Sequence, residues 1–282
     1  MIVHDVIQGS PEWVALHIGR PTASEFHVLM TKVAIEGASK GKIPQGVKTY
    51  LNKKLAEWLI GRPVDEYTSG FMARGKEMEP RARAWFECFG TDEAVETELV
   101  GFITTDDGRA GCSPDFWIPG TKRGGEIKTL EIVHHVGAYF AEAEDFKPQV
   151  QGNLWIAEAE LWYRVYFNPH PSLVPVCEPV PRDDEYIAVL NRQVDWCVEL
   201  LEERKAQLIA RGCKPTAPTV ARATPTDDRP TEAELRELGD EFFGEPLQQP
   251  DFGRTEERIL QVATGPLSRH ELAVFAPVDN GT

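Results

Sequence analysis

The sequence lacks four things, and each absence narrows what it encodes. No apolar run approaches the ~20 residues needed for a helix to cross a bilayer, so no membrane span is expected. The opening Met-Ile-Val-His-Asp-Val lacks the basic-then-apolar layout of a secretory leader, and a cytoplasmic protein is expected. There is no Cys-x-x-Cys. The five cysteines (Cys88, Cys112, Cys177, Cys197, Cys213) are odd in number and scattered, which excludes a zinc knuckle and a disulfide framework and predicts that most are small buried residues. Positive charge is also short: the net charge of −15 argues against a simple nucleic-acid-binding surface. What remains, at 41% apolar and 27% charged, is ordinary globular material without internal repeats, long enough for one large domain or two small ones.

The charge is unevenly spread. From Pro215 onward the net is −7, about half of the excess, whereas residues 31–54 hold Lys32, Lys40, Lys42, Lys48, Lys53 and Lys54 against one acid, Glu36. Such a stretch is either a solvated helix face or the wall of a DNA channel.

Residues 1–30 read as helical, with Ser10 capping a helix over 12–19 and Thr22 capping another from Ala23. A Gly- and Lys-containing loop is expected near 36–46. Helices follow over 47–60, stopped by Gly61, and from Ser69 to Gly90 with Trp85 and Phe86 inward. The period then changes to two. Strands are predicted over 94–100, 102–105 and 109–112, with Asp106-Asp107-Gly108 as a turn, and over 124–130, 161–168 and 173–180. Helices are predicted near 131–144, over 148–158 and over 183–211. The main body is therefore placed at 1–212. A Pro/Thr/Ala linker at 213–231 and a small helical or partly disordered tail at 232–282 complete the chain.

The most informative stretch runs from Ser113 to Lys128. A hairpin there brings Asp115 and Glu126 together, and Lys128 shares the strand face of Glu126 because side chains two apart point the same way. Two carboxylates beside an ammonium suit a divalent metal and the water that attacks a phosphodiester. Magnesium takes one or two carboxylates and keeps several waters; Asp115, Glu126 and the carbonyl of Ile127 supply such oxygens. Alone, Asp-x10-Glu-x-Lys is a weak pattern, since Glu-x-Lys is common on exposed strands.

Four other segments join it in order: Trp13–Glu25 (WVALHIGRPTASE), Gly75–Arg83 (GKEMEPRAR), Cys112–Asp115 (CSPD), and Gln149-Val150-Gln151 followed by Trp155. Together the five segments resemble the lambda exonuclease / YqaJ-like viral recombinase family of PD-(D/E)xK nucleases, over roughly residues 8–200. The resemblance implies an α/β fold with a restriction-endonuclease-like core, a central mixed β-sheet flanked by helices, plus a C-terminal extension. It implies a magnesium-dependent exonuclease, with manganese able to substitute, that digests double-stranded DNA ends 5′→3′ in a bacterial or phage-infected cell. Asp115 and Glu126 would ligate metal with the Ile127 carbonyl, Glu79 would support the metal directly or through water, and Lys128 would be the catalytic lysine. Gln149, Ser24 and Ser113 would bind phosphate. His17 stands where the family has an arginine for the terminal phosphate, with Arg20 three residues on, and Phe116 replaces the family's glycine after the aspartate. A homotrimer is a further implication; the C-terminal tail itself suits recruitment of a single-strand-annealing or single-strand-binding partner.

Plainer readings stand beside these. Glu79 suits an i,i+4 pair with Arg83, Gln149 and Gln151 suit a first helical turn after Pro148, and the aromatics of 155–167 suit a core strand. His134 and His135, adjacent on a helix, do not share a face. The rival functions are an endonuclease of the same superfamily and a catalytically silent protein that binds DNA ends or recruits partners.

Overall fold

A computed structural model describes residues 1–64, 70–144 and 146–218, with the side chains of 70–73 left aside. The chain divides into two compact units, Met1–Thr231 and Glu232–Thr282. The second unit and its expected helices lie outside the described residues, as does Ser69.

The first unit opens with strand β1 (Ile2–His4) and helix α1 (Pro11–His17), followed by a 3-10 helix over Ala23–Val28. Helices α2 (Lys32–Ser39), α3 (Gln45–Ile60) and α4 (Gly70–Phe89) come next, then strands β2 (Phe102–Thr104), β3 (Gly111–Cys112), β4 (Phe116–Trp117) and β5 (Arg123–Thr129). Helices α5 (Ile132–Ala138) and α6 (Lys147–Ile156), strands β6 (Leu161–Phe167) and β7 (Val176–Pro181), and the long helix α7 (Asp184–Ala210) complete it. One sheet has the order β1-β2-β3, all antiparallel. The other, β4-β5-β6-β7, is mixed: β5 and β6 run parallel, with Glu126 opposite Arg164 and Lys128 opposite Tyr166. This is the mixed sheet flanked by helices that the sequence predicts.

The parallel pair needs a crossover, and α5 and α6 provide it. Strand β6 is buried nearly throughout; Trp162, Val165 and Phe167 are fully enclosed, so the aromatic run is core. At the β4–β5 hairpin, Phe116 pairs with Gly125, and a Cβ at Gly125 would lie 1.8 Å from the Phe116 ring. The fully buried Phe116 ring also meets Phe86 of α4, with centroids 4.3 Å apart. A glycine opposite therefore accommodates the phenylalanine after Asp115 and lets α4 dock on the hairpin.

Several local expectations are corrected. The first 30 residues are not wholly helical, because Ile2–His4 pairs with β2 as a sheet edge. Thr22 makes no cap bond; its hydroxyl turns to Glu25, and a 3-10 helix forms instead of an α-helix. Helix α2 reaches into the expected loop because Thr31 caps it, accepting from the Ala34 N–H at 3.2 Å. Residues 94–100 form no strand beyond a bridge between Glu98 and Trp117, because Val95 and Thr97 bond back to Glu87. Helix α5 stops at Ala138, short of 144, and Ala141 takes a left-handed φ of 56°. Only Cys112 and Cys197 are buried, while Cys88 is exposed; all five are free. Trp85 is only half-buried.

Candidate active site

Strand β5 and the start of β4 place the three expected groups together. Asp115 Oδ2 accepts from the Ile127 N–H at 2.6 Å, and the Asp115 N–H donates to the Gly125 carbonyl at 3.1 Å. A strand residue's carbonyl leaves on the same edge as its own N–H, so the Ile127 oxygen faces the Asp115 side rather than β6. Lys128 Nζ donates to Glu126 Oε1 at 2.8 Å. Helix α6 closes the other side. Gln149 Oε1 accepts from Lys128 Nζ at 3.0 Å, and its amide donates to Glu126 Oε1. Asn153 Nδ2 donates to Glu126 Oε2 at 3.1 Å. Glu126, 4% exposed, is thus buried with both oxygens satisfied.

Asn153 and Phe146 are members of this site that the sequence reading missed. Asn153 lies one helical turn beyond Gln149, an i,i+4 spacing that puts both amides on one face. Phe146 sits in a left-handed conformation (φ 46°) at the start of α6, with its ring 4.8 Å from Lys128 Nζ. A bulky residue with positive φ is strained, and such strain gathers at functional sites. No sequence signal marks it.

The electrostatics favour a bound cation. The Asp115 carboxyl is held well above the ordinary carboxylate range, first by burial and then by the charges of Glu126 and Glu79; Lys128 and the Ile127 N–H only partly offset this. Burial alone would lower the Lys128 ammonium, but Glu126 and Asp115 outweigh it and the net direction is upward. Among the described residues, no three Asp, Glu, His or Cys side chains converge closely enough to hold a metal unaided. Two carboxylates, a main-chain oxygen and coordinated water match magnesium's habit, and the crowding of negative charge at Asp115 is what a divalent cation relieves. Glu79, half-buried on α4, fits a role through water.

The expected phosphate-binding residues are placed differently. Ser113 Oγ accepts from Trp13 Nε1 at 2.8 Å and donates to the Gly101 carbonyl at 3.1 Å. The His17 ring lies between Trp13 and Phe102, with centroids at 3.7 and 4.3 Å, and its Nδ1 bonds to the Trp13 carbonyl. Burial lowers His17 to about 4, so it carries no charge for an anion near neutral pH. Arg20 donates to the Gly108 and Leu16 carbonyls. Ser24 is exposed beside Thr22. His135 is buried and its Nε2 donates to the Val174 carbonyl at 2.9 Å, while His134 is exposed, so the two do not form a joint site.

The same fold occurs in solved exonucleases. The structure is similar to the alkaline exonuclease of Laribacter hongkongensis, with 23% identity and a TM-score of 0.61 over 72% of this chain and 98% of that one. The same enzyme in complex with dAMP gives a TM-score of 0.62. A phage-related exonuclease from Haemophilus somnus 129PT matches at 15% identity and a TM-score of 0.54, over 67% of this chain and 96% of that one. No curated protein matches. The YqaJ-like viral recombinase domain matches residues 12–160, more than half of the chain. The chain belongs to that family, as its five ordered segments imply.

Proposed function

We propose that the protein is a magnesium-dependent DNA exonuclease that digests double-stranded ends 5′→3′ and leaves 3′ single-stranded tails for phage-type recombination. The observation that carries this reading is the convergence of Asp115, Glu126 and Lys128 at the hairpin edge, within a family of viral recombinase domains. The likeness to solved exonuclease structures supports it.

Asp115, Glu126 and the Ile127 carbonyl would hold the ion, with Glu79 acting through water. Bound there, magnesium (or manganese) would offset charge on the phosphate and acidify a coordinated water. Lys128 donates a hydrogen bond to the attacking water and sets a positive charge beside the phosphate. Gln149 and Asn153 fix the rotamer of Glu126, and the second N–H of the Gln149 amide is the one left to reach a phosphate beside Lys128. Ser24, exposed on the 3-10 helix, suits a phosphate contact; His17 and Arg20, with polar atoms spent on carbonyls, do not enter the proposal. Residues 1–212 form the nuclease domain, 213–231 a linker, and 232–282 a tail that recruits a single-strand-annealing or single-strand-binding protein. A ring-shaped homotrimer would enclose the product strand.

The test is an end-labelled linear duplex with magnesium or manganese, beside a circular duplex. Progressive shortening of the linear form alone is the expected result. Loss of the circle would indicate an endonuclease, and no cleavage with any divalent metal would end the nuclease reading. Glu126→Gln and Lys128→Ala should each lower the rate at least ~100-fold, the typical contribution of a positioned acid–base group.

A further inference from the structure

A cavity of about 840 Å³ opens beside Glu79, between α4 and the segment before α1. Its charged lining is Asp5, Glu12, Lys76, Glu77, Glu79 and Arg83. Arg83 is only 6% exposed, yet among the described residues its guanidinium makes no hydrogen bond or ion pair, not even with Glu79 one turn before it. Its nitrogens are not sealed in the core either, so they open to the cavity. A guanidinium cannot shed its charge by losing a proton, and a buried charge without a partner is strongly disfavoured. Its planar fork matches an oxyanion with two oxygens presented side by side.

We propose that this cavity grips a phosphodiester of the DNA strand, with Arg83 as the bidentate donor on its floor and Lys76 as a second cation at its mouth. Lys76 is exposed, and its Nζ would lie 3.1 Å from a Cβ at Gly9, which places it over the cavity's N-terminal wall. Asp5 and Glu77 are exposed and screened by solvent. Glu12 and Glu79 are half-buried and oppose a small free anion. A polymer held by several phosphates overcomes that opposition where a single phosphate does not, and this favours the strand over a released nucleotide. The identity of the ligand rests on the nuclease reading above; the need of Arg83 for an anion does not.

The test is binding of a short duplex to the full chain in EDTA, followed by fluorescence anisotropy across a salt series. Arg83→Gln should weaken binding about tenfold and lower the slope of log affinity against log salt by about one. Lys76→Ala should act in the same direction and less strongly. If Arg83→Gln does not fold, Arg83→Lys replaces it, with slope retained and affinity lost. Affinity and slope unchanged in the folded Arg83 variant would overturn the proposal. Arg83-dependent binding of deoxyadenosine monophosphate, with duplex binding independent of Arg83, would put a product there and overturn it too. A wild type that cuts DNA while Arg83→Gln binds it normally sinks only this site. A wild type that cuts nothing but binds through Arg83 sinks only the nuclease reading.

Discussion

Asp115 carries a charge its surroundings oppose: Glu126 and Glu79 stand nearby, and the Ile127 N–H is its main-chain donor. An asparagine there keeps an oxygen for that N–H and removes the repulsion. Asp115→Asn should therefore abolish cleavage while stabilising the metal-free protein by about 1 kcal/mol, as relief of a strained active site commonly does; thermal unfolding in EDTA reads the second effect. The pH dependence follows. A carboxyl whose pKa is raised above 3.8 on folding stabilises the fold most at low pH, and that stability is lost as pH rises through the folded value. His17 has the opposite sign. Lowered from 6.5 to about 4 on folding, it stays neutral inside while the unfolded chain takes up a proton, so stability falls as pH drops from about 6.5 toward 4. His17→Phe keeps a ring between Trp13 and Phe102 and should flatten that limb of the stability–pH curve.

Elements turn these residues into a site. The hairpin works because Gly125 leaves room for Phe116, which in turn seats Phe86 and so fixes helix α4, the bearer of Glu79 and Arg83. Gly125→Ala should cost about 1–3 kcal/mol, the usual penalty for overpacking, and lower activity further by shifting Asp115; denaturation midpoint and rate measured together check both. Gly152 plays the same part for α6, since a Cβ there would meet Phe26 at 2.6 Å. The period-two spacing of Glu126 and Lys128 was legible in the sequence, as was the Ser10 cap of α1. Residues 94–100 were not: their alternation suited a strand, but the Thr97 N–H went to the Glu87 carboxylate and the Val95 N–H to the Glu87 carbonyl. Asn153 was within reach of an i,i+4 reading from Gln149. Phe146 was not, since only the packed chain forces its left-handed turn.

At the scale of the molecule, the basic stretch of 31–54 is partly spent on neighbours. Lys54, buried, pairs with Glu25 and Glu57 at 2.7 and 3.2 Å, Lys53 with Glu25 at 3.6 Å, and Lys40 with Glu36 at 3.1 Å. Lys32, Lys42 and Lys48 remain exposed for a phosphate backbone. The first unit also holds the start of the linker: the Thr216 N–H donates to the Leu59 carbonyl at 2.9 Å, and Gly61 abuts Thr216 and Ala217. Truncation after Pro218 should leave folding and cleavage intact and weaken only partner capture. Truncation after Gly212 should lower the melting temperature by a few degrees, the equivalent of one net hydrogen bond of about 1 kcal/mol.

The amino-acid order by itself determined most of the helices and strands, the hairpin pair Asp115 and Glu126, and the neighbouring Lys128, because these follow from local periodicity and spacing. It also carried the five segments that define the family. Only the tertiary structure decided that His17 and Arg20 serve packing while Arg83, without a partner among the described residues, faces an open cavity. Which polar groups find partners depends on contacts between residues far apart in the chain, and no local pattern encodes them.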